Sequence, residues 1–203
     1  MRWLLPLGAI WGLITLAQAQ PVTYEQQIVA HRAAYKAEFR ASPNSPLHSE
    51  SDLGMLRFYA PDIRYRVEAT VQRTPEAEPF EMPTYSGKTQ SHVKYAVLTF
   101  SLNSQSLTLD LFRNLTLGRL PQYRDYLFLP FKDATTGTAT YGGGRYLDLR
   151  LGEIRDGKLM LDFNKAYNPY CAYADGYSCP IPPKANELPV PVEAGEKKWG
   201  KVH

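Results

Sequence analysis

The stretch from Phe131 to Asp148, FKDATTGTATYGGGRYLD, constrains the fold of this chain more than any other. It contains three consecutive glycines, Gly142 to Gly144. Glycine loses much conformational entropy on folding and has no side chain to pack, so three in a row indicate unusual backbone angles or a close approach of other atoms. A second polar stretch, DFNKAYNPYCAY, extends from Asp162 to Tyr173. We expect the two stretches to meet and to form whatever site the protein has.

Residues 1–19 have the pattern of a secretory signal peptide. Arg2 is a short positive start, an apolar run follows from Trp3 to Leu16, and Ala17-Gln18-Ala19 is typical of a cleavage site. The apolar run is shorter than the roughly 20 residues that span a bilayer. We therefore expect cleavage after Ala19 and no stable membrane anchor afterwards. The mature protein, residues 20–203, would be periplasmic or secreted, with a single β-rich domain and an extended C-terminal tail.

The charge pattern argues against a nucleic-acid partner. The chain has 23 Lys+Arg and 20 Asp+Glu, mixed along its length, and a formal net charge of +3. Proteins that bind nucleic acid carry a basic patch or stripe, and the sequence has none. The 14 tyrosines and 16 prolines, with few long helical patterns, favour strands and shaped loops.

The sequence predicts one N-terminal helix followed by strands. Thr23 and Gln26 have the spacing of a capping box, and apolar residues follow at helical spacing as far as Phe39. Apolar and polar residues alternate over 63–71, and further strands are predicted at 80–84, 93–102, 107–111 and 127–131. A slip of the apolar phase near Val97-Leu98 suggests a bulge or burial on both faces. The predicted fold is mainly β, a single antiparallel barrel or curved sandwich of roughly eight to ten strands with an N-terminal α-helix.

A hairpin is predicted in the last third of the chain. Apolar residues alternate over 147–151 and 159–163, and the turn signal Asp156-Gly157 lies between them. A loop of three residues, 155–157, aligns apolar positions across the two strands. This register would place Arg150 opposite Asp162, and Asp148 opposite Asn164.

The only two cysteines, Cys171 and Cys179, are close together in the sequence. In an oxidising compartment such a pair usually forms one local disulfide. The alternatives are a reduced structural pair and half of a metal site. Zinc would need further Cys or His ligands, and no C-x-x-C or H-x-x-x-H spacing is present. The sequence favours the disulfide and predicts neither a metal nor a cofactor.

Several catalytic motifs are excluded. Gly137 to Gly142 has the glycine spacing of a phosphate loop, but Gly143-Gly144 stands where Lys and Ser/Thr are needed. The segment around Ser178 lacks the second glycine of a nucleophile elbow. No histidine lies near either polar stretch in the sequence, which argues against Ser–His or Cys–His nucleophilic catalysis.

The remaining polar residues form the predicted ligand site. They combine carboxylates, one arginine, two amides and tyrosines. The candidate set is Arg145, Tyr141, Tyr146, Asp133, Asp148, Asp162, Asn164, Tyr167 and Asn168. The leading interpretation is an exported binding protein for a small molecule, in which Arg145 holds a polar or anionic group at the glycine-rich loop and tyrosines form the walls.

Other interpretations stay open. A hydrolase for glycosides or esters would use two of Asp133, Asp148 and Asp162 as acid and base, at a separation of roughly 5–10 Å. A calcium site would use the same carboxylates, although the alternating ligand loop is missing. A structural or interaction module of the cell envelope would show an exposed apolar patch and no pocket at the glycine loop. The same residues also suit purely structural roles, because Asp–Arg pairs, turn-forming Asp and Thr, and hydrogen-bonded tyrosines are common in folded proteins.

Both polar stretches resemble an uncharacterised bacterial family of exported proteins, domain of unknown function 1684. The matching residues include Thr140 to Asp148, Asp162 to Asn164 and Ala166 to Pro169, and later Cys179, Pro180, Pro182, Pro183, Asn186, Leu188 and Ala194 to Glu196. Many members have a tryptophan-rich opening helix, which this chain lacks. The resemblance implies a shared fold and a shared polar centre, and it supplies no reaction.

Overall fold

The structure, a computed structural model, describes residues 21–200. The predicted signal peptide, residues 1–19, lies outside the described residues. The single domain predicted for residues 20–203 stays a prediction. Within residues 21–200, no helix is both long and apolar enough to cross a membrane.

Two α-helices precede the strands, α1 (Tyr24–Ala41) and α2 (Glu50–Gly54). The capping box predicted for α1 is confirmed: the Thr23 hydroxyl accepts a hydrogen bond from the Gln26 amide, and the Gln26 side chain accepts one from the Thr23 amide. Both bonds satisfy amides that a helix N-terminus leaves without partners. Ser42 ends α1, as the following proline predicts.

Seven strands form one antiparallel sheet. They are β1 (Arg66–Arg73), β2 (Phe80–Pro83), β3 (Thr89–Leu102), β4 (Gln105–Asn114), β5 (Tyr126–Phe131), β6 (Arg145–Arg150) and β7 (Lys158–Asp162). Their order is β6-β5-β4-β3-β1-β7, and β2 pairs with β3 beyond the end of β1. β3 has an irregularity of register between Lys94 and Ala96, slightly before the Val97-Leu98 position where the sequence suggests a bulge.

The sheet curls so that its two ends approach each other. β6 and β7 lie at opposite ends of the strand order, yet Tyr146 of β6 pairs with Tyr167, which follows β7. The two residues exchange backbone hydrogen bonds of 2.9 and 3.1 Å. The predicted class, mainly β with an N-terminal helix, is confirmed. The described residues contain seven strands rather than eight to ten, because the apolar C-terminal segment packs in the core without joining the sheet as a strand.

The predicted pairing of the last hairpin is wrong. Arg155 and Lys158 exchange backbone hydrogen bonds of 2.9 and 2.8 Å around Asp156-Gly157, so the turn has two residues rather than three. Both turn residues have positive φ, 50° and 72°, as a type I′ turn requires. Beyond the turn the strands separate, β6 to pair with β5 and β7 to pair with β1. Arg150 and Asp148 therefore do not lie opposite Asp162 and Asn164.

The main core lies on one face of the curled sheet. It contains alternate apolar residues of the strands, such as Leu98, Leu109 and Leu161, together with Leu188, Val190, Val192 and Ala194 of the C-terminal segment. A second cluster joins Phe39 of α1 to α2 and to Tyr173. A third cluster, on the other face of the sheet, includes Phe128 and Tyr146. The space between the second and third clusters is where the candidate site lies.

Candidate functional site

The two polar stretches meet, as the sequence predicts. The Tyr146–Tyr167 bridge joins β6 to the segment after β7. The prediction that their charged groups face a shared hollow holds only in part. Some groups lie in solid packing and others line a cavity.

The glycine run ends in a tightly packed turn. Gly144 has φ +89°, and a Cβ atom there would lie 2.7 Å from the Phe131 carbonyl oxygen. A Cβ on Gly143 would lie 2.2 Å from the Tyr141 ring, whereas one on Gly142 would meet nothing closer than 3.7 Å. A side chain at Gly143 or Gly144 would therefore meet neighbouring atoms, whereas one at Gly142 would have room.

Arg145 lies in the interior and contacts protein atoms. Its Nη2 donates to Asp133 Oδ2 at 2.9 Å and to the Val192 carbonyl at 2.8 Å, and its Nη1 donates to the carbonyls of Ala194 and Glu196. Its Nε is buried without a partner among the described residues. Both side chains of the Arg145–Asp133 pair are only 1% exposed. The pair joins the glycine loop to the C-terminal segment, and neither of its residues lines the cavity described below.

Four more predicted site residues also have protein partners. Asp162 accepts the Tyr24 hydroxyl at 2.9 Å, and Asn164 exchanges hydrogen bonds with the backbone of Asp62. Asn168 donates its side chain to the Lys197 carbonyl at 2.9 Å, and the Tyr141 hydroxyl donates to the Cys171 carbonyl at 3.2 Å. The structure places these residues in the framework around the cavity, and no observation tests them as ligand contacts.

A cavity of about 650 Å³ opens beside Tyr146 to Asp148 rather than beside the three glycines. Three predicted site residues line it: Tyr146, Asp148 and Tyr167. α1 forms one wall through His31, Ala34, Tyr35 and Glu38. The remaining lining residues are Tyr123, Leu147, Lys165, Pro169, Tyr170, Tyr177, Ser178, Cys179 and Pro180.

Asp148 is the central carboxylate of this cavity. Its Oδ1 accepts the hydroxyls of Tyr126 and Tyr167, each at 2.7 Å. Asp148 is exposed by surface area, but protein atoms surround the concavity in which it lies. Removal from bulk water raises the pKa of Asp148, although both tyrosine hydroxyls act in the opposite direction. The arrangement provides a hydrogen-bond acceptor whose charge bulk water solvates incompletely.

A second carboxylate, Glu196, anchors the wall behind the cavity. It is 0% exposed. Its carboxylate accepts hydrogen bonds from the hydroxyls of Tyr35 at 3.1 Å and Tyr173 at 2.6 Å, and from the backbone amide of Asn168 at 2.9 Å. The pKa of Glu196 is raised to about 7, because the effect of burial exceeds the opposite effect of the three hydrogen bonds. Because Tyr35 lines the cavity, Glu196 fixes one of its walls from behind.

The disulfide Cys171–Cys179 is confirmed. It closes the short loop that carries Tyr177 and Ser178, and these residues line the cavity together with Cys179. Next to the cavity lies a recess of about 170 Å³, which shares Tyr146, Tyr167 and Pro180 with it and is also lined by His92. Burial lowers the pKa of His92.

Sequence reasoning missed several residues of the site. Tyr35, Tyr126 and Glu196 come from segments far apart in the sequence, and only Glu196 stands in a stretch noted for its pattern, Ala194 to Glu196. His31 lines the cavity although no histidine lies near the polar stretches in the sequence. Among residues 21–200, no group of three or more His, Cys, Asp or Glu side chains is arranged to hold a metal ion.

Comparisons with known proteins identify relatives but no activity. A family model described as protein of unknown function (DUF1684) matches residues 52–197. The solution NMR structure of an uncharacterised protein of Haloarcula marismortui is similar, with a TM-score of 0.66 and 38% sequence identity over 86% of this chain and 94% of that chain. No curated protein matches. The strands, Asp148 and Glu196 lie within the matched residues, whereas α1 precedes them.

Proposed function

This chain belongs to the DUF1684 family of proteins of unknown function, and we propose that it is an exported protein that binds a small molecule in the cavity beside Asp148. The observation that carries the proposal is the cavity itself. Its volume of about 650 Å³ suits a small molecule, since ligand pockets usually measure roughly 300–1,000 Å³. Its composition also fits, because such pockets combine aromatic walls with a few placed polar groups.

The tyrosine walls and one carboxylate provide both kinds of contact. Six tyrosines line the cavity, namely Tyr35, Tyr123, Tyr146, Tyr167, Tyr170 and Tyr177. Asp148 supplies an acceptor that fixes the orientation of a donor group on the ligand. This proposal moves the ligand away from Arg145, because the guanidinium is occupied by Asp133 and backbone carbonyls.

The hydrolase alternative receives little support from the placement of its carboxylates. Asp148 lines the cavity, but Asp133 is paired with Arg145 and Asp162 accepts from Tyr24 and Asn164. A glycosidase needs two carboxyl groups facing one substrate, at a separation of roughly 5–10 Å. Turnover of a bound molecule therefore remains an outcome for experiment rather than a second proposal.

Export is part of the proposal because disulfides persist mainly in oxidising compartments. Cell fractionation, followed by N-terminal sequencing of the mature protein, tests it. We expect a periplasmic or secreted chain that starts at Gln20. A full-length chain in the cytosol would overturn the export.

A variant that fills the cavity tests ligand binding. Ala34 is exposed on α1 and lines the cavity, whereas Ala37 is exposed on the same helix and does not. We expect a small-molecule library to raise the melting temperature of the native chain and of Ala37→Trp, but not that of Ala34→Trp. Native mass spectrometry would detect any molecule that copurifies. Equal responses in both variants, or no response in any chain, would refute binding in this cavity.

A further inference from the structure

One oxygen of Asp148 has no hydrogen-bond partner within residues 21–200. Both tyrosine hydroxyls bind Oδ1, and Oδ2 accepts no hydrogen bond from any described residue. The nearby Arg150 does not complete it, since its Nη1 donates to Asp125 at 2.8 Å and to the Gln122 carbonyl at 3.0 Å. An ionised carboxylate oxygen in a concave, aromatic environment attracts a positively charged group of the ligand.

Most of the tyrosines that line the cavity use their hydroxyls in hydrogen bonds to the protein. The hydroxyls of four of the six lining tyrosines donate to protein acceptors: Tyr35 to Glu196, Tyr146 to the Pro180 carbonyl, Tyr167 to Asp148, and Tyr177 to the Asn44 carbonyl. The rings of Tyr35, Tyr167 and Tyr146 follow one another along the wall, with centroids 5.9 Å apart at each step. Aromatic faces attract cations through the ring quadrupole.

The charges around the cavity also favour a cation. Two carboxylates, Asp148 and Glu38, line it with one ammonium group, Lys165, and one imidazole, His31. Burial, together with the nearby Lys165, lowers the pKa of His31, so its ring is neutral at neutral pH. The formal charge of the lining groups is then negative, because two carboxylates face one ammonium.

We infer, on the basis of the proposed function, that the ligand is an organic cation whose ammonium group lies between Oδ2 of Asp148 and the rings of Tyr35, Tyr146 and Tyr167. The ammonium replaces the water that the surrounding protein removes from the carboxylate. An anion at the same place would be repelled by the Asp148 carboxylate. A neutral molecule would bind without the charge attraction, and therefore more weakly.

The pH dependence of ligand affinity is a second test of the same interaction. Burial raises the pKa of Asp148, and a bound cation favours the ionised carboxylate and thus displaces its proton. At lower pH the Asp148 side chain loses its negative charge, and the His31 ring gains a positive one. The affinity for a cation therefore rises with pH, whereas the affinity for a neutral compound of the same shape does not.

Three probes of similar shape and different charge test the inference. They are choline, its uncharged isostere with carbon in place of the quaternary nitrogen, and tert-butylacetate, an anion. Isothermal titration calorimetry and ligand-observed NMR measure the affinity for the full disulfide-bonded chain. We expect choline to bind at least tenfold more tightly than the isostere and the anion.

A matched pair of variants assigns this preference to Asp148. Asp148→Asn removes the charge while keeping an acceptor for the tyrosine hydroxyls, and Asp156→Asn makes the same change in an exposed turn away from the cavity. We expect Asp148→Asn to bind choline at least tenfold more weakly and Asp156→Asn to bind it like the native chain. Should Asp148→Asn fail to fold, the affinities of the native chain for choline and its isostere test the inference instead.

The outcomes separate this inference from the proposed function. Binding of the isostere or the anion as tightly as choline, lost in Ala34→Trp, would overturn the cation and retain the cavity as a binding site. Unchanged choline affinity in Asp148→Asn would also overturn the inference. If none of the three probes binds, the cation is refuted, and the library measured on Ala34→Trp and Ala37→Trp decides the proposed function separately.

Discussion

At the scale of single residues, two carboxylates determine how the interior responds to pH. Glu196 and Asp148 each accept two tyrosine hydroxyls, but only Asp148 is exposed to the cavity. Glu196 is fully buried and has no cationic partner among the described residues. The free energy of its ionisation is therefore part of the stability of the fold.

Glu196→Gln should remove a pH dependence of stability. The pKa of Glu196 is about 7 in the folded chain against an ordinary value of 4.5, so the folded state binds more protons between these values. The resulting stability is complete below pH 4.5 and is lost as the pH rises through 7, by up to about 3 kcal/mol. Urea unfolding of the native chain across this range should show the loss, and Glu196→Gln should lack it.

Glu193→Gln is the matched control, because Glu193 is exposed in the same segment. It should keep the pH dependence of the native chain. An identical pH profile for the native chain and Glu196→Gln would contradict the assignment.

Residue chemistry explains why some site residues could be predicted from the sequence and others could not. An arginine beside a glycine loop has the same sequence pattern whether it binds a ligand or backbone carbonyls. The sequence predicts Arg145 as a ligand anchor, because its carbonyl partners belong to residues 192, 194 and 196, about fifty positions away. Asp148 and Tyr167 can be predicted as cavity residues because they stand in dense polar stretches. Tyr35 looks like an ordinary apolar-phase residue of a helix, and Tyr126 lies just before a predicted strand.

At the scale of elements, the C-terminal segment holds the glycine loop in place. Leu188, Val190, Val192 and Ala194 are buried in the main core, and the carbonyls of Val192 and Ala194 accept from Arg145. The Val192 amide donates to Asp133 Oδ1 at 3.1 Å. The buried ion pair therefore adds side-chain contacts to the backbone hydrogen bonds between the two segments, such as the one from the Ala134 amide to the Val190 carbonyl at 3.2 Å.

Asp133→Asn should destabilise the protein strongly. It removes the negative partner of a guanidinium that is only 1% exposed, and breaking a buried pair in this way costs about 3–5 kcal/mol. Asp125→Asn is the control, since the Arg150–Asp125 pair is exposed and such pairs contribute about 0–1 kcal/mol. Urea unfolding compares the two. Similar small losses for both variants would show that Arg145 finds adequate compensation in the carbonyls alone.

Strand existence was predictable, and strand pairing was less so. Alternation of apolar and polar residues reports which face of a strand is buried, and this signal is local. The Asp156-Gly157 signal correctly predicted a turn. It did not predict that β6 and β7 separate beyond the turn, because β5 and β1 compete as partners and lie far away in the sequence.

At the scale of the whole molecule, distant parts of the chain enclose one cavity. α1, β6, the segment after β7 and the disulfide loop each contribute to its walls. No stretch of sequence contains these parts together, so the composition of the cavity could not be predicted from local pattern. The disulfide loop is the part that a single chemical change can release.

Reduction of the disulfide should loosen the cavity as well as the fold. Cys171→Ser with Cys179→Ser should lower the free energy of unfolding by about 2–3 kcal/mol, the chain-entropy value for a short loop. Cys179, Tyr177 and Ser178 line the cavity, so ligand-induced stabilisation should also decrease. Thermal unfolding with and without reductant measures both effects in the native chain. Unaltered melting under reducing conditions would contradict a stabilising role.

The position of α1 has a consequence for how specificity could diversify among related proteins. The helix precedes the residues that the family model matches, yet it supplies four of the cavity's lining side chains. Asp148, by contrast, belongs to the matched part. We expect a graft of α1 from a relative to alter which molecules are accepted and how strongly a cation is preferred, because His31, Tyr35 and Glu38 belong to the helix. Differences in this one helix would then be enough to change specificity, while Asp148 stays in the part of the chain that the family model matches.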